Sequence, residues 1–304
     1  MRIGIDLGGT KIDGIALADD GRIRAHVRVP TPAGDYERTV AALVDVVARL
    51  ERDAGETGSI GIGIPGALSP ATGLVKNSNS TALNGKPLDR DLETALGRPV
   101  RLANDANCFT LSEAIDGAGK DATTVFGVIL GTGVGGGIVI DGKVLTGRNA
   151  IAGEWGHNPL PNPRPDELPG PRCYCGRVGC IESFLSGPSL AADYRRAGGS
   201  SEAATAERIV EHAAAGEPKA SAALDRYEDR LARALASIVN VLDPDVIVLG
   251  GGLSNVERLY AAVPKLWTPY VFSDRIDTDL RRAVHGDSSG RRGAAWLWPL
   301  TTPP

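Results

Sequence analysis

Residues 153–157 of the chain read Gly-Glu-Trp-Gly-His, and residues 173–182 read Cys-Tyr-Cys-Gly-Arg-Val-Gly-Cys-Ile-Glu. Three of the chain's four cysteines therefore lie within eight positions, and a histidine precedes them by one proline-rich loop. Three thiolates and one imidazole are a ligand set that closed, tetrahedral zinc sites use. The pattern predicts a structural zinc site formed by His157, Cys173, Cys175 and Cys180.

Two carboxylates flank this stretch, Glu154 before the histidine and Glu182 after the last cysteine. A metal held by the four ligands would fix both acids and so shape a polar pocket without taking part in the chemistry. One alternative is that the cysteines are reduced and bind no metal, and a weaker one is a disulfide framework. The scarcity of cysteine elsewhere in the chain favours the metal site.

Composition and charge limit the class of protein. A chain of 304 residues suggests about two domains, and 42% hydrophobic with 23% charged residues is typical of a globular protein with a sizeable core. No apolar run is long enough to span a bilayer, and Met1–Asp6 has no leader pattern, so we expect no membrane partner and a cytoplasmic location. A net charge of −4 without a dense Lys/Arg block argues against nucleic acid and favours small-molecule partners.

The same order of elements occurs twice along the chain. Short apolar strands flank a glycine-rich hairpin near the N-terminus, and a turn leads into a third strand; the plan recurs from Thr123. This repeat predicts an α/β protein with two similar domains facing each other across a cleft. The predicted strands are 2–6, 12–18, 23–29, 60–64, 100–103, 125–130, 137–140, 143–145 and 246–249.

Helical periodicity and capping residues predict the helices. Asp35 opens one helix, and Ser254-Asn-Val-Glu257 reads as a capping box that opens another. The last helix, 290–297, is expected to return to the first domain. The other predicted helices are 88–96, 106–114 and a long one through 224–242.

Two glycine-rich loops are candidates for phosphate binding. Gly8-Gly9-Thr10-Lys11 and Gly131-Thr132-Gly133 each offer backbone amides and a hydroxyl, and the first adds an ammonium group. Two such loops from opposite domains can hold one nucleotide. The P-loop spacing is missing, and G-x-G-x-x-G at 61–66 and 131–136 does not lead into a helix, which excludes a dinucleotide site. The alternative for each loop is an ordinary tight hairpin.

Two aspartates fit roles in phosphate transfer. Asp105 lies between a strand and a helix, where the helix N-terminus favours the ionised carboxylate, so it can accept the proton of an attacking hydroxyl. Its alternative role is a simple helix N-cap. Asp6 ends the first strand beside a glycine loop and suits Mg²⁺, held directly or through water. Its alternative is a turn aspartate.

A further polar set offers donors and acceptors for sugar hydroxyls, although each member alone could be an ordinary surface group. It comprises Asn79, Asn104, Glu154, His157 and Glu182. The remaining histidines are His26, His212 and His285. They belong to no such motif of polar residues and are expected to be structural.

Together these motifs resemble the ROK family of sugar kinases, within the actin-like, hexokinase-type ATPase superfamily, over nearly the whole chain. The motifs are Asp6-Leu-Gly-Gly-Thr-Lys11, Leu102-Ala-Asn-Asp-Ala-Asn107, Gly131-Thr-Gly133, Gly153-Glu-Trp-Gly-His157, the cysteine run ending at Glu182, and Gly250-Gly-Gly252. The resemblance implies two actin-like (RNase H-like) domains: 1–118 joined by the C-terminal helix 290–304, and 119–289 with a zinc-binding insert at 153–182.

The resemblance also implies site residues and partners. Asp105 would be the base, and Gly66 would join the sugar-binding residues Asn79, Asn104, Asp105, Glu154, His157 and Glu182. ATP with Mg²⁺ would contact Asp6, Gly8, Gly9, Thr10, Lys11, Gly131, Thr132, Gly133, Gly135, Gly251 and Gly252. His157, Cys173, Cys175 and Cys180 would bind zinc, and the protein would be a homodimer.

Within the family, three motifs are most similar to the bacterial fructokinases of the manno(fructo)kinase type: residues 75–81, 154–161 and 285–290. They imply ATP-dependent phosphorylation of the 6-hydroxyl of fructose. Ala82 departs from relatives that carry a tryptophan there, so a glucose, mannose, N-acetylglucosamine or N-acetylmannosamine kinase is the alternative. A sugar-responsive repressor is disfavoured, because Ile3–Asp6 is already a core strand and leaves no room for a DNA-reading head.

Overall fold

The computed structural model describes residues 1–202 and 205–299. Its strands, in chain order, are β1 Arg2–Leu7, β2 Lys11–Leu17, β3 Ile23–Pro30, β4 Ser59–Ile64, β5 Ala67–Leu68, β6 Val75–Lys76, β7 Val100–Asn104, β8 Thr124–Leu130, β9 Val134–Ile140, β10 Lys143–Val144, β11 Val246–Gly250 and β12 Asp279–Arg282.

The helices are α1 Tyr36–Ala54, α2 Leu88–Leu96, α3 Asp105–Asp116, α4 Glu182–Leu185, α5 Gly187–Arg196, α6 Ala206–Ala214, α7 Pro218–Leu242, α8 Arg258–Leu266 and α9 Ser289–Trp296. Short 3-10 turns span Thr81–Leu83, Trp155–His157, Pro165–Glu167, Gly252–Asn255, Thr268–Tyr270 and Gly286–Ser288. No helix in the described ranges combines the length and the apolar character needed to cross a membrane.

The two large sheets repeat one strand order, as the sequence predicts. The first runs β3-β2-β1-β4-β7 and the second β10-β9-β8-β11-β12, while β5 and β6 pair separately. In the first, β1, β2 and β3 pair antiparallel, whereas β1, β4 and β7 are parallel. In the second, β9 and β10 pair antiparallel, whereas β8, β11 and β12 are parallel. The α/β class and the internal repeat are therefore confirmed.

The helix α1 shows how local sequence positions an element on the first sheet. The Asp35 side chain accepts a hydrogen bond from the Arg38 amide, and Gly55 ends the helix in the left-handed conformation (φ 70°). Leu43, Val47 and Leu50 on its apolar face are fully buried, in one core cluster with the isoleucines of β1 and β4. The start of this helix at Asp35 agrees with the sequence prediction.

The C-terminal helix α9 packs directly on the strands of the first sheet. A Cβ atom on Gly4 would lie 1.9 Å from the Arg291 carbonyl oxygen, and one on Gly61 would lie 1.9 Å from that of Ala294. Glycine at these two positions is what allows backbone to approach backbone. The buried Asp13 carboxylate adds a bond, since it accepts from Arg291 Nη1 at 2.6 Å. The predicted return of the last helix to the first sheet is confirmed.

The chain divides into two compact units whose bounds differ from those of the predicted domains at 119–121, 137–152 and 285–289. The first unit comprises Met1–Asp121, Gly137–Ala152 and the chain from His285, and the second comprises Ala122–Gly136 and Gly153–Val284. Residues 137–152 thus leave the predicted domain 119–289, because Gly137 packs on α3: its Cβ would lie 2.5 Å from Thr110 Oγ1. Residues 300–304 of the predicted segment 290–304 lie outside the described residues.

The predicted capping box at Ser254 is wrong. The Ser254 hydroxyl donates to the Gly251 carbonyl oxygen at 2.7 Å, within the 3-10 turn Gly252–Asn255. Helix α8 begins later, at Arg258, and its N-cap Glu257 makes no side-chain capping bond. The Ser254 hydroxyl bonds to a nearby carbonyl oxygen and therefore does not cap the helix.

We expect the stability of the first unit to depend on the charge of His285. Its Nε2 lies 2.8 Å from Asp116 Oδ1, and this bond raises the pKa of His285, while bonds from His285 and Arg292 hold the pKa of Asp116 below its usual value despite burial. Protonated His285 therefore stabilises the fold below the ordinary histidine pKa, and this contribution is lost as pH rises through the raised pKa. His285→Gln should lower the free energy of unfolding by about 1.5 kcal/mol at pH 6.

Urea unfolding of the wild type and His285→Gln at pH 6 and pH 9 measures this effect. In an Asp116→Asn background the difference between the two pH values should largely disappear, because the partner charge is gone. An equal cost of His285→Gln at both pH values would contradict the assignment.

Candidate active site and metal centre

The carboxyl ends of the parallel strands in the first sheet bring several predicted residues to one edge. Asp6 of β1 is opposite Gly63 of β4, and Ile64 of β4 is opposite Asn104 of β7. Gly66 follows β4 directly, and the Asn104 Nδ2 group donates to its carbonyl oxygen at 3.2 Å. In open α/β sheets this edge is where ligands bind.

Asp105 is the first residue of α3, and the residue before it caps the helix. Asn104 Oδ1 accepts from the amides of Ala106 at 2.9 Å and Asn107 at 3.4 Å. The alternative in which Asp105 is the N-cap is therefore wrong. The exposed Asp105 carboxylate accepts from the Ala106 amide at 2.8 Å, beside the positive end of the helix dipole.

Asp6 has the surroundings expected of a ligand for a hard cation. Burial raises the pKa of Asp6, and the nearby Asp13 carboxylate raises it further. Burial also raises the pKa of the Cys108 thiol, with added contributions from the charges of Asp6 and Asp105. Both acids therefore lie near this buried thiol. A carboxylate of raised pKa gains from a neighbouring cation, so Asp6 fits the predicted role toward Mg²⁺.

The loop that carries Asn79 is held by an asparagine to which the sequence analysis assigned no role. Asn84 Oδ1 accepts from the Ser78 amide at 2.9 Å, and Asn84 Nδ2 donates to the Ser78 carbonyl at 2.8 Å. Gly66, at φ 88°, packs against this loop, since its Cβ would lie 2.4 Å from the Lys76 carbonyl oxygen. Asn79 itself is exposed.

The first glycine loop is a tight hairpin between β1 and β2. The Gly8 amide donates to the Lys11 carbonyl at 2.9 Å, and the Thr31 hydroxyl donates to the Gly8 carbonyl at 2.7 Å. Gly9 and Thr10 are exposed at the tip, and Lys11 begins β2. The amide of Gly8 is thus used within the hairpin, which leaves the tip as the part that faces solvent.

In the second unit, two glycine segments meet at the carboxyl edge of β8 and β11. Gly250 of β11 is opposite Ile129 of β8, and Gly251 adopts φ 79°. A Cβ on Gly251 would lie 2.5 Å from the Leu130 carbonyl oxygen. Gly251 and Gly252 therefore lie beside the loop that begins at Gly131, as a shared nucleotide site requires.

The four predicted metal ligands converge in the second unit. The ligand atoms of His157, Cys173, Cys175 and Cys180 all lie within 4.8 Å of one another. Cys173 Sγ is 3.6 Å from His157 Nδ1, and Cys175 Sγ is 3.7 Å from Cys180 Sγ. The edge of a tetrahedron with Zn–S bonds of about 2.3 Å is about 3.8 Å, whereas a disulfide would need about 2.05 Å. The donors and their spacing fit zinc and do not fit a disulfide.

The two ring nitrogens of His157 have different neighbours. Its Nδ1 faces Cys173, while its Nε2 lies 3.1 Å from the Tyr174 hydroxyl. A metal-bound histidine generally uses its second nitrogen for a hydrogen bond that fixes the ring. The structure thus directs Nδ1 toward the cysteine cluster and pairs Nε2 with Tyr174, while the role of His157 toward a sugar stays a prediction.

The two flanking acids differ in their surroundings. Glu154 is exposed, whereas Glu182 is half-buried and its Oε2 accepts from the Val134 amide at 2.9 Å. Trp155, buried next to Glu154, donates from Nε1 to the Gly135 carbonyl at 3.0 Å. The sequence analysis missed Val134 and Trp155 as positioning residues; the position of Trp155 inside the Gly-Glu-Trp-Gly-His motif was the available signal.

The structure brings the predicted residues together in two sets, one in each unit. The first unit gathers Asp6, the hairpin tip at Gly9 and Thr10, Gly66, Asn79, Asn104 and Asp105. The second gathers Gly131, Thr132, Gly133, Gly135, Gly251, Gly252, Glu154, Glu182 and the Cys3His cluster. Each set lies at the carboxyl edge of its own parallel strands or beside it.

Comparison with known proteins identifies the family of this chain. The model of the ROK family matches residues 2–300. The chain belongs to the ROK family of sugar kinases. The N-acetyl-D-glucosamine kinase of Yersinia pseudotuberculosis serotype O:3 is 42% identical over 302 residues, which cover 98% of each protein.

Solved structures of ROK proteins share the fold. The ROK hexokinase from Thermus thermophilus matches with a TM-score of 0.85 and 36% identity, over 97% of this chain and 96% of that one. The ROK family glucokinase from Streptomyces griseus, solved with glucose and AMPPNP, matches with a TM-score of 0.78 and 30% identity, over 97% and 98%. The predicted hexokinase-type ROK fold is confirmed. The fructokinase type is not confirmed, since the curated relative is named an N-acetyl-D-glucosamine kinase and the Streptomyces griseus structure a glucokinase.

We expect the purified protein to carry one zinc ion per chain. Cys173→Ala should remove the metal and lower the melting temperature, because a structural zinc site contributes directly to folding. Cys108→Ala is the matched control: Cys108 is buried in the first unit, outside the cluster, so this variant should keep its zinc. Elemental analysis with thermal unfolding measures both, and a wild-type protein without zinc would contradict the site.

Proposed function

We propose that this ROK protein is an N-acetyl-D-glucosamine kinase, which transfers the γ-phosphate of ATP to the 6-hydroxyl of the sugar. The observation that carries the choice of sugar is the 42% identity, over 98% of both proteins, to the N-acetyl-D-glucosamine kinase of Yersinia pseudotuberculosis. This was one of the alternatives to fructose in the sequence analysis, and it replaces fructose as the first choice.

In the proposed reaction, Asp105 is the base. The oxygen of the sugar 6-hydroxyl attacks the γ-phosphorus, the bond from that phosphorus to the β-phosphate oxygen breaks, and the hydroxyl proton passes to the Asp105 carboxylate. The exposure of Asp105 and its place at the start of α3 support this role. Asn104 fixes the backbone from which Asp105 projects, through its cap on Ala106.

The remaining assignments follow the two sets of residues. We assign the sugar to Asn79, Asn104, Glu154, His157, Glu182 and the backbone at Gly66. Mg²⁺ neutralises developing charge on the phosphates when bound, and we assign its contact to Asp6. We assign the triphosphate to the loops at Gly8–Lys11 and Gly131–Gly135, and the nucleoside to Gly251 and Gly252. The homodimer stays a prediction.

A panel of sugars tests the choice of substrate. With saturating ATP and Mg²⁺ in a coupled assay, kcat/KM should be highest for N-acetyl-D-glucosamine and at least about tenfold lower for fructose, glucose and mannose; one lost contact to a buried polar group is sufficient for such a difference. Mass spectrometry and NMR should identify the 6-phosphate. A clear preference for fructose would restore the first hypothesis, and no turnover on any sugar would contradict the kinase proposal.

Asp105→Asn tests the base. The substitution keeps the shape of the side chain and removes its basicity, so kcat should fall by about 100- to 10,000-fold. Sugar binding, measured by calorimetry, should largely survive. Asp53→Asn, an exposed aspartate on α1, is the matched control and should retain wild-type activity. If Asp105→Asn retained more than a tenth of the activity, Asp105 would not be the base.

A further inference from the structure

The phosphate loop is defined here as the turn Gly131–Gly133 with the first two residues of β9, Val134 and Gly135. It is held by the segment that carries the predicted sugar-binding acids. Glu182 Oε2 accepts from the Val134 amide at 2.9 Å, and the Gly187 amide donates to the Gly131 carbonyl at 2.8 Å. Trp155 Nε1 donates to the Gly135 carbonyl at 3.0 Å. The backbone of the loop is therefore bonded at three points to the segment that begins at Gly153.

Glu182 lies in direct contact with the backbone of this loop. A Cβ on Gly133 would lie 2.7 Å from Glu182 Oε2, so the carboxylate lies against the backbone of Gly133. The other carboxylate oxygen, Oε1, is 3.8 Å from Cys173 Sγ, next to a metal ligand. A hydrogen bond from an amide to an ionised carboxylate is stronger than one between neutral groups. One half-buried side chain thus connects the cysteine cluster with the phosphate loop.

We propose that Glu182 is a positioning residue for the nucleotide as well as a sugar ligand, and that it couples the two binding events. This inference rests on the proposed kinase function. Through the Val134 amide, the carboxylate holds the phosphate loop in the conformation that receives the triphosphate. The loop then needs less ordering when the nucleotide binds.

The hydrogen bond between the Val134 amide and Glu182 also predicts whether the sugar strengthens or weakens nucleotide binding. A sugar hydroxyl that donates to Glu182 Oε1 would fix the side chain and reduce the negative charge that faces the phosphates. Both effects favour nucleotide binding, so the sugar should increase nucleotide affinity, and the nucleotide should increase sugar affinity by the same factor.

Calorimetry of Mg²⁺·AMPPNP binding without sugar tests the positioning role. Glu182→Ala should weaken binding about tenfold, since a hydrogen bond that orders the loop is lost, whereas Glu182→Gln keeps an acceptor oxygen and should stay within about twofold of wild type. Glu154→Ala is the matched control; its carboxylate makes no hydrogen bond in the described part of the chain, so it should weaken sugar binding without weakening nucleotide binding. Unchanged or tighter AMPPNP binding by Glu182→Ala would overturn the proposal, because removal of a negative charge alone favours phosphate binding.

Hydrogen exchange of the wild type provides a test that does not depend on the folding of a variant. Addition of N-acetyl-D-glucosamine alone should slow exchange at the Val134 amide and tighten AMPPNP binding at least about threefold. Unchanged Val134 exchange and AMPPNP affinity on addition of the sugar would overturn the coupling. If the enzyme prefers a different sugar, the proposed substrate changes, but the coupling is still expected when that sugar is used. A wild type that binds no AMPPNP would contradict both the kinase function and the coupling.

Discussion

The second unit depends on one constraint: three sulfurs and one imidazole nitrogen must meet at a single point. Around that point the two arms of the segment pair with each other, since the Leu160 amide donates to Gly179 at 2.9 Å and the Ile181 amide donates to Asn158 at 2.8 Å. The loop between these arms is long and proline-rich, so its closure is entropically unfavourable, and zinc bound at the predicted site would offset that cost. The paired arms carry Glu154 on one side and Glu182 on the other.

Hydrogen bonds from this segment also reach residues beyond the two acids to which we assign the sugar. Glu182 and Trp155 hold the phosphate loop, and that loop lies beside Gly251 because β8 and β11 are parallel neighbours. The first unit positions its predicted site residues in a different way. There, the ends of parallel strands and a capping asparagine position Asp6 and Asp105. Two sheets of the same strand order thus position their functional groups by different chemistry.

Several features could be predicted because they depend on short-range patterns. The strand and hairpin repeat, the helix that Asp35 caps, and the Cys3His set all follow from spacing and residue type. At Asn104 and Asp105, two good capping residues are adjacent, and local sequence does not decide which of them caps α3. The serine at 254 shows the opposite case, in which a capping motif is present but its hydroxyl bonds elsewhere.

The remaining features depend on contacts between residues far apart in the chain. Val134 and Glu182 are 48 residues apart, and the packing of Gly137 on Thr110 appears only in the folded structure. Strand β12, Asp279–Arg282, has no apolar alternation in its largely charged sequence, and it is recognised only by its pairing with β11. The choice of sugar is hardest to predict, because the motifs that identify a ROK kinase are shared by kinases of several sugars and a few contacts can separate one sugar from another.

In the proposed function, a metal-held segment presents Glu182 both to the sugar and to the phosphate loop. A crystal structure with N-acetyl-D-glucosamine and AMPPNP, with anomalous data collected at the zinc edge, would test this directly. We expect one zinc peak among His157, Cys173, Cys175 and Cys180, with one Glu182 oxygen on the Val134 amide and the other on a sugar hydroxyl. No zinc peak at this cluster, or a Glu182 carboxylate that touches neither partner, would contradict it.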